Sequence, residues 1–307
     1  MEGSQLVTTG ILETGQSSVK RPTVLSTFWK EIKSDKLSLI SLILLVIIFS
    51  FIYIAAPIIN SQINVMHNNL LIANQSPEQS GTLLGTDSNG RYVAPLLVIA
   101  ARNSLNLALA VTFFSFIIGV VVGLYSGFYG GKIDNWIMRL VDTWLMLPSL
   151  MFIIAMISLM GERTVALFII MLTAFSWMGR ARLVRAAALQ NSNMDYIHAS
   201  KTLGTKNFVI IFREMLPNLV DVVVANFVIT LATSIGIETG LSLIGFGMGA
   251  LTPSLGVMIQ SALSPVNLQF RWWTWAPALI LVVFITLCIN FVGNTLQRAA
   301  DPKQRLT

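Results

Sequence analysis

Two histidines, His67 and His198, and one cysteine, Cys288, are the soft metal ligands available in 307 residues. Histidines so far apart in sequence cannot form a His-Glu-x-x-His site, which needs both on one helix face. No Gly-x-Ser-x-Gly stretch sets a nucleophilic serine on an elbow. A phosphate-cradling loop of the form Gly-x4-Gly-Lys-Ser/Thr is also missing. The nearest approach is Gly131-Lys132, with Ser126 at the first glycine position and Ile133 at the hydroxyl position. Hydrolytic or ATP-driven chemistry on this chain is therefore a poor reading. One stretch does carry polar groups at organised spacing: residues 195–218, DYIHASKTLGTKNFVIIFREMLPN, between long apolar runs.

Those runs set the class. The chain is 54% hydrophobic and only 11% charged, a balance no soluble core of this size needs. Uncharged segments cover 37–59, 103–127, 143–161, 164–179, 222–237 and 272–297, most near or above the roughly 20 residues that cross a bilayer as helix. Such runs exclude a transmembrane barrel, whose strands alternate over about ten residues. The expectation is an all-α polytopic membrane protein with six transmembrane helices and an uncleaved first span. Six spans put both termini and 180–218 on one face, which then holds 16 of the 20 Lys and Arg residues; only Arg91, Arg102, Arg163 and Arg271 fall on the other. The positive-inside rule makes the basic face cytoplasmic, and it accounts for the +6 net charge without nucleic acid. Residues 240–262 are uncharged and long enough for a seventh span, but five glycines and Pro253 cost about 1 and 3 kcal/mol each in a helix. A broken, partly re-entrant external segment is the preferred reading, buried against protein because lipid cannot satisfy irregular backbone.

Within 195–218, Ser192 and Asp195 have the spacing of a capping box, and Gly204 can close the helix they start in a left-handed conformation. A second helix is expected from Lys206 to Met215, stopped at Leu216-Pro217 because the residue before proline leaves helical geometry. Val209, Ile210, Phe212 and Leu216 offer apolar surface, to be covered by the chain itself, by anionic lipid or by a cytoplasmic protein.

The pattern resembles the EAA loop of ATP-driven importer permeases: Glu-Ala-Ala-x-x-x-Gly, then Leu-Pro about a dozen residues on. Here it stands as His198, Ala199, Ser200, Gly204, Leu216 and Pro217, with His198 at the glutamate position, Ser200 at the second alanine, and Glu214 where related oligopeptide permeases often carry histidine. A second likeness narrows the branch. Gly85, Thr86, Asp87, Gly90 and Arg91 resemble the Gly-Thr-Asp-x-x-Gly-Arg-Asp motif of the C-type permeases of dipeptide, oligopeptide and nickel importers, with Tyr92 at the last position. Leu241, Ser242, Gly245, Gly247, Pro253, Ser254 and Gly256 continue it, as do Asn290, Gly293, Leu296, Asp301 and Pro302.

The resemblance implies the type I importer fold, with a cytoplasmic coupling helix between the fourth and fifth spans. It divides the chain into a cytoplasmic segment 1–36, an anchor 37–59, an external loop and entry segment 60–102, a core permease domain 103–297 containing the coupling loop 180–218, and a cytoplasmic tail 298–307. It implies a second homologous permease, two ATPase subunits that carry the ATP and magnesium, an external solute-binding protein, and a bacterial inner membrane. No cofactor is expected on this chain itself. Asp195, Tyr196, His198, Ala199, Ser200, Leu203, Gly204, Glu214, Leu216 and Pro217 are assigned to ATPase coupling. Gly85, Thr86, Asp87, Gly90, Arg91 and Glu238 are assigned to external docking or gating, beside the plainer alternative that they fold the loop and the span end. The cargo implied is oligopeptide or dipeptide, with nickel, glutathione or haem-type cargo as alternatives and a gradient-driven carrier as a rival reading.

Charges inside the spans mark the ion paths of gradient-driven carriers. Only Glu238 and Asp142 qualify, both near span ends. Pro148 and Pro277 are expected to kink the third and sixth spans, Met146, Met151 and Met156 to fill core, Cys288 to pack, and Trp272, Trp273 and Trp275 to form an interfacial belt.

Overall fold

A computed structural model describes residues 24–62, 65–159, 164–249 and 252–300. Lys20, Arg21, Arg163, Lys303, Arg305 and the Asp301-Pro302 pair lie outside the described residues. The described chain is helical: α1 (Val24–Ser34), α2 (Lys36–Gln62), α3 (Pro77–Ser80), α4 (Val93–Tyr129), α5 (Gly131–Leu145), α6 (Ser149–Leu159), α7 (Val165–Ser192), α8 (Asp195–Thr202), α9 (Asn207–Leu243), α10 (Leu255–Gln260), α11 (Pro265–Phe270) and α12 (Ala276–Ala300). Five of them, α2, α4, α7, α9 and α12, are long and apolar enough to cross a membrane. At 1.5 Å per residue the 37 residues of α4 and of α9 run about 55 Å, well beyond a hydrocarbon layer of about 30 Å. Their ends therefore carry protein structure outside the bilayer.

Side-chain register gives the direction of each crossing. On α4, Gly119 lies against Trp177 and Ala181 of α7, Gly123 against Ala181 and Val184, and Gly127 against Arg185 and Ala188. Both numbers rise together, so α4 and α7 are parallel. The spacing Gly-x3-Gly-x3-Gly removes side chains from one face and lets two backbones touch. By contrast, α9 is antiparallel to α4: Thr112 and Ser234 share a hydrogen bond of 3.1 Å, and the Phe116 and Phe227 rings meet edge-on at 5.4 Å. Gly293 of α12 faces Ile229, and Gln297 donates to Asn226 at 3.2 Å, which makes α12 antiparallel to α9. At its start, α2 meets the end of α12 through Ser38 and Thr295, 2.5 Å apart, and through an Asp35–Arg298 ion pair of 2.6 Å. The start of α2, the end of α12 and the α7–α9 connection thus share one face. The Arg298 guanidinium beside Asp35 holds that carboxyl below its ordinary range.

Because α4 and α7 are parallel, the chain between them must travel back. It does so in α5 and α6, which are bent by 73° at a short break. α6 has 11 residues, about 16 Å, too short to cross alone, so the third span expected over 143–161 exists only as the bent pair α5–α6, kinked at Pro148 as its sequence suggested; with that pair the candidate spans among the described residues number up to six. Pro148 sits in the break, where a missing N–H and a ring clash end one helix and allow another direction. Asp134 of α5 is buried and accepts hydrogen bonds from Ser126 and from Arg185, the Arg185 Nε at 2.9 Å. Asp142 pairs with Arg182. Two carboxylates therefore fasten α5 to α4 and α7.

Three smaller expectations also change. Pro277 lies in the first turn of α12, where its N–H would be unpaired anyway, so it bends nothing. Met146, Met151 and Met156 are exposed rather than core, since a lipid solvent places no premium on inward apolar side chains. Trp273 is buried and donates to the Thr86 carbonyl at 3.2 Å, leaving Trp272 as the exposed belt residue.

Residues 240–262 do not form one helix. α9 ends at Leu243, Gly245 has φ +90°, and α10 is a separate helix seated on α4: the Ser104 hydroxyl accepts the Leu255 N–H at 3.1 Å, and the Asn103 amide donates to the Pro253 carbonyl at 2.9 Å. Gly256 meets α9 so closely that a Cβ there would lie 2.9 Å from the Thr239 Cα.

The α4–α7 seam makes a direct prediction. Gly123→Leu places a side chain where a bare Cβ already meets the Arg185 nitrogen at 2.9 Å, and should destabilise the folded chain by about 2 kcal/mol or more in a denaturant titration. Gly179→Ala, in open space on α7, should leave the midpoint unchanged or raise it.

Candidate functional site

The polar stretch projects from the end of α7. Its first helix, α8, has one fully buried side chain: Ile197 lies among Leu124 and Phe128 of α4, Val184 and Ala188 of α7, Ile210, Ile211 and Met215 at the start of α9, and Leu219 further along it, with Tyr196 packed against the same cluster. Ile197 thus ties α8 to three long helices. Two polar contacts fix its rotation. Ser200 donates to the Glu214 carboxylate at 2.6 Å, and Tyr196 donates to Asn191 at 3.1 Å. Burial raises the Tyr196 phenol above its ordinary value, so it remains a neutral donor. Lys201 lies 4.5 Å over the Phe128 ring.

α8 ends as expected at Gly204, φ +76°. The Gly204 N–H donates to the Lys201 carbonyl at 3.1 Å and the Thr205 N–H to the Ser200 carbonyl at 3.1 Å, the paired bonds of a Schellman ending. Its beginning differs. The residue preceding α8 is Met194, with no side-chain cap, while Ser192 is the last residue of α7 and bonds back to the Leu189 carbonyl at 2.8 Å. The capping box is absent because α7 runs 13 residues beyond the expected end of its span and absorbs Ser192.

The second helix does not stop at Leu216-Pro217. It continues into the body of α9 through a π-helical turn, Ile210–Met215, whose wider loop relieves the clash that Pro217 would cause in an α-helix. The Glu214 carbonyl there accepts the Asn218 amide at 2.8 Å. The helix from Asn207 to Leu243 is therefore continuous, and α8 joins it through the turn at Gly204.

Of the apolar residues in this stretch, Ile210 is buried, and Val209, Phe212 and Leu216 are partly covered by the chain's own helices. Leu203 and Phe208, 84% and 64% exposed, carry the uncovered apolar surface at the tip. Asp195, His198 and Ala199 are exposed on the same outer side of the loop, and Pro217 is exposed on α9.

The external motif has a different character. Thr86 is buried: its hydroxyl donates to the Ile72 carbonyl and accepts the Gln75 N–H at 2.9 Å. The Asp87 carboxylate accepts the Asn89 and Arg91 N–H groups at 2.9 Å each and pairs with the Arg91 guanidinium at 2.6 Å. Gly85 and Gly90 have φ of +65° and +73° and abut the Gln75 and Asn69 backbones, with no room for a Cβ. All five residues hold the loop in shape. Glu238 is fully buried in α9 and accepts Ser242 at 2.8 Å; it lies far along the helix from α8 and is not brought to the same site.

The sequence reading passed over Gly119, Gly123 and Gly127, although four-residue glycine spacing in an apolar run is a recognisable signal. It also missed Ile197, for which an isolated apolar residue in a polar octet gives little warning.

Comparison with known proteins places this geometry in context. Residues 119–306 match the family described as "Binding-protein-dependent transport system inner membrane component". The oligopeptide transport system permease protein OppC of Lactococcus lactis subsp. lactis (strain IL1403) is 42% identical over 275 residues, covering 90% of this chain and 93% of that protein. The dipeptide transport system permease protein DppC of Bacillus subtilis (strain 168) is 34% identical over 290 residues, 94% of this chain and 89% of its own length. Among solved structures, a chain of the MetNI methionine ABC transporter in inward-facing conformations aligns with a TM-score of 0.56 over 67% of this chain and 96% of its own length; at 23% identity this likeness concerns the fold.

If Ile197 is the plug that holds α8, Ile197→Ala should cost about 2–5 kcal/mol locally and raise amide hydrogen exchange across 195–203. Leu203→Ala, at an exposed position, should leave exchange unchanged.

Proposed function

The chain belongs to the family of binding-protein-dependent transport system inner membrane components, and from that premise we propose that it is a permease subunit of an ATP-driven importer of oligopeptides or dipeptides, with α8 as the element through which ATPase subunits move it. The cargo reading rests on the oligopeptide and dipeptide permeases that it resembles along nearly its whole length. The mechanical reading rests on one observation: α8 is exposed outward and is fastened inward, through Ile197, to α4, α7 and α9 at once.

The division of labour follows from exposure. Asp195, His198, Ala199, Leu203 and Phe208 form the surface offered to an ATPase subunit, with apolar anchors at the tip and polar groups around them. Tyr196, Ser200, Gly204, Glu214, Leu216 and Pro217 set the angle of that surface to the spans. When two ATPases close on ATP and magnesium, they carry α8 as a rigid body. The Ile197 cluster passes the displacement to the ends of three long helices, and the bundle exchanges one opening for the other. Motion reaches α9 directly, since the π-turn makes it one continuous helix from Asn207.

The second permease subunit, which completes the path, and the solute-binding protein, which meets the opposite face, belong to the same proposal. The shared face of α8, the start of α2 and the end of α12 is the cytoplasmic one, as its excess of Lys and Arg favours. On the other face, the Gly85–Arg91 knot stiffens the surface on which a binding protein docks, while α10, seated on α4 and α9, closes over the span ends.

Gly204 tests the lever. In a reconstituted complex with its ATPases, Gly204→Val should lower ATP-dependent uptake of a labelled peptide about tenfold, the equivalent of ~1.4 kcal/mol of strain at a left-handed residue, while ATP hydrolysis continues. Gly204→Asn, which tolerates that conformation, should retain most uptake. Full uptake by the valine variant would contradict the assignment.

A further inference from the structure

We propose that the outer face of α5 binds the phosphodiester head of an anionic phospholipid. α5 begins where α4 ends, at the face that carries α8: Tyr129, two residues before it, accepts a hydrogen bond from Asn207 at 3.4 Å. One side of the helix is committed to protein. Asp134 and Val141 are buried there, and Asp134 and Asp142 are paired with Arg185 and Arg182 of α7.

The rest of the helix surface divides into two arcs. At 3.6 residues per turn, Lys132, Asn135, Trp136 and Arg139 share one arc, while Ile133, Leu140 and Trp144 share the next. All seven are exposed, and Trp136 is 76% exposed. The first four line a hollow of about 420 Å³. Both carboxylates of α5 are paired with arginines of α7, and among the described residues neither Lys132 nor Arg139 has an acidic partner. The result is a pair of cations without an acidic partner on one helix face, about two turns apart, with an amide between them and an indole beside them.

That combination selects a lipid over a protein surface. An exposed apolar arc directly beside a basic arc is the pattern of a helix lying in the membrane interface, where the first meets acyl chains and the second meets phosphates. Trp136, flanked by both arcs, has the amphipathic shape that settles at headgroup depth. The charge balance requires an anionic lipid, because a zwitterionic head returns its own cation to the hollow. Each cation near a membrane surface contributes about 1 kcal/mol of attraction to anionic lipid, so two make a preference of roughly thirtyfold at the site. Since Asp134 and Asp142 tie α5 to α7, the occupied hollow bears on the helix that leads into α8. This orientation rests on reading the α8 face as cytoplasmic, but the binding chemistry does not.

The test uses the assembled transporter in vesicles of phosphatidylcholine carrying an equal fraction of either dibrominated phosphatidylglycerol or dibrominated phosphatidylcholine, with lipids in both leaflets so that orientation is immaterial. The Trp136 fluorescence is taken as the difference between the unaltered chain and Trp136→Phe. It should be quenched several-fold more by the brominated phosphatidylglycerol. Lys132→Gln and Arg139→Gln should each reduce that preference about fivefold while quenching by phosphatidylcholine persists, and Lys132→Arg should keep it. Equal quenching by the two lipids overturns the proposal. So does protection of Trp136 from both, which would show an ATPase or second permease covering the face. Neither of those results alters ATP-dependent uptake, which tests the transport reading separately.

Discussion

Gly119, Gly123 and Gly127 let two helices that run in the same direction touch along their backbones, and much of the chain is arranged around that contact. Parallel neighbours joined in sequence need a return path. α5 and α6 provide it, bent at Pro148 and fastened at Asp134 and Asp142. The seam also brings the lower ends of α4 and α7 together so that Leu124, Phe128, Val184 and Ala188 form a single apolar socket. Ile197 fills it. Without the close approach of the two helices there would be no socket, and α8 would be a loop on the surface.

The lipid environment explains which interactions carry specificity here. Apolar side chains gain nothing by leaving acyl chains for protein, so helices are selected by small-residue contact and by polar pairs with fixed geometry. Thr112–Ser234, Ser38–Thr295 and Asn103–Pro253 each fix a register between helices or segments. At the ends, where water returns, burial works in the usual way, and Ile197 is held by it. Ser200 and Glu214 depart from the family pattern the chain resembles, yet they bond to each other at 2.6 Å across the two arms of the loop. Two substitutions that look unrelated in sequence are one contact in space. For His198, exposed on the outer side, the structure supplies no intramolecular reason.

Helical class, the long apolar spans and the left-handed Gly204 were legible in sequence because each depends on local composition or on one residue's φ/ψ preference. The failures share a cause as well. Ser192 has the right spacing for a cap, but α7 continues through it, and no local rule predicts where a helix projecting from the membrane will stop. Pro217 was expected to end a helix, which holds for α geometry and not for a π-turn. In the run 143–161 the kink at Pro148 was legible, but its size, 73°, was not, because it is a tertiary consequence of the parallel seam. Of the candidate site, the tip and its glycine could be read from type and spacing. The Ile197 socket could not, because its members are drawn from four separate parts of the chain.

The central claim, that α8 is where an ATPase takes hold, is tested most directly by cysteine crosslinking from position 199. Ala199 is exposed on α8, and Cys288, buried in α12, can be replaced by alanine to leave one thiol. With Ala199→Cys in that background, expressed with its ATPase subunits in native membranes, a crosslink to an ATPase that changes in yield with nucleotide is the predicted result. A thiol at 199 that labels freely from water or is shielded by lipid, with no crosslink in any nucleotide state, would contradict it.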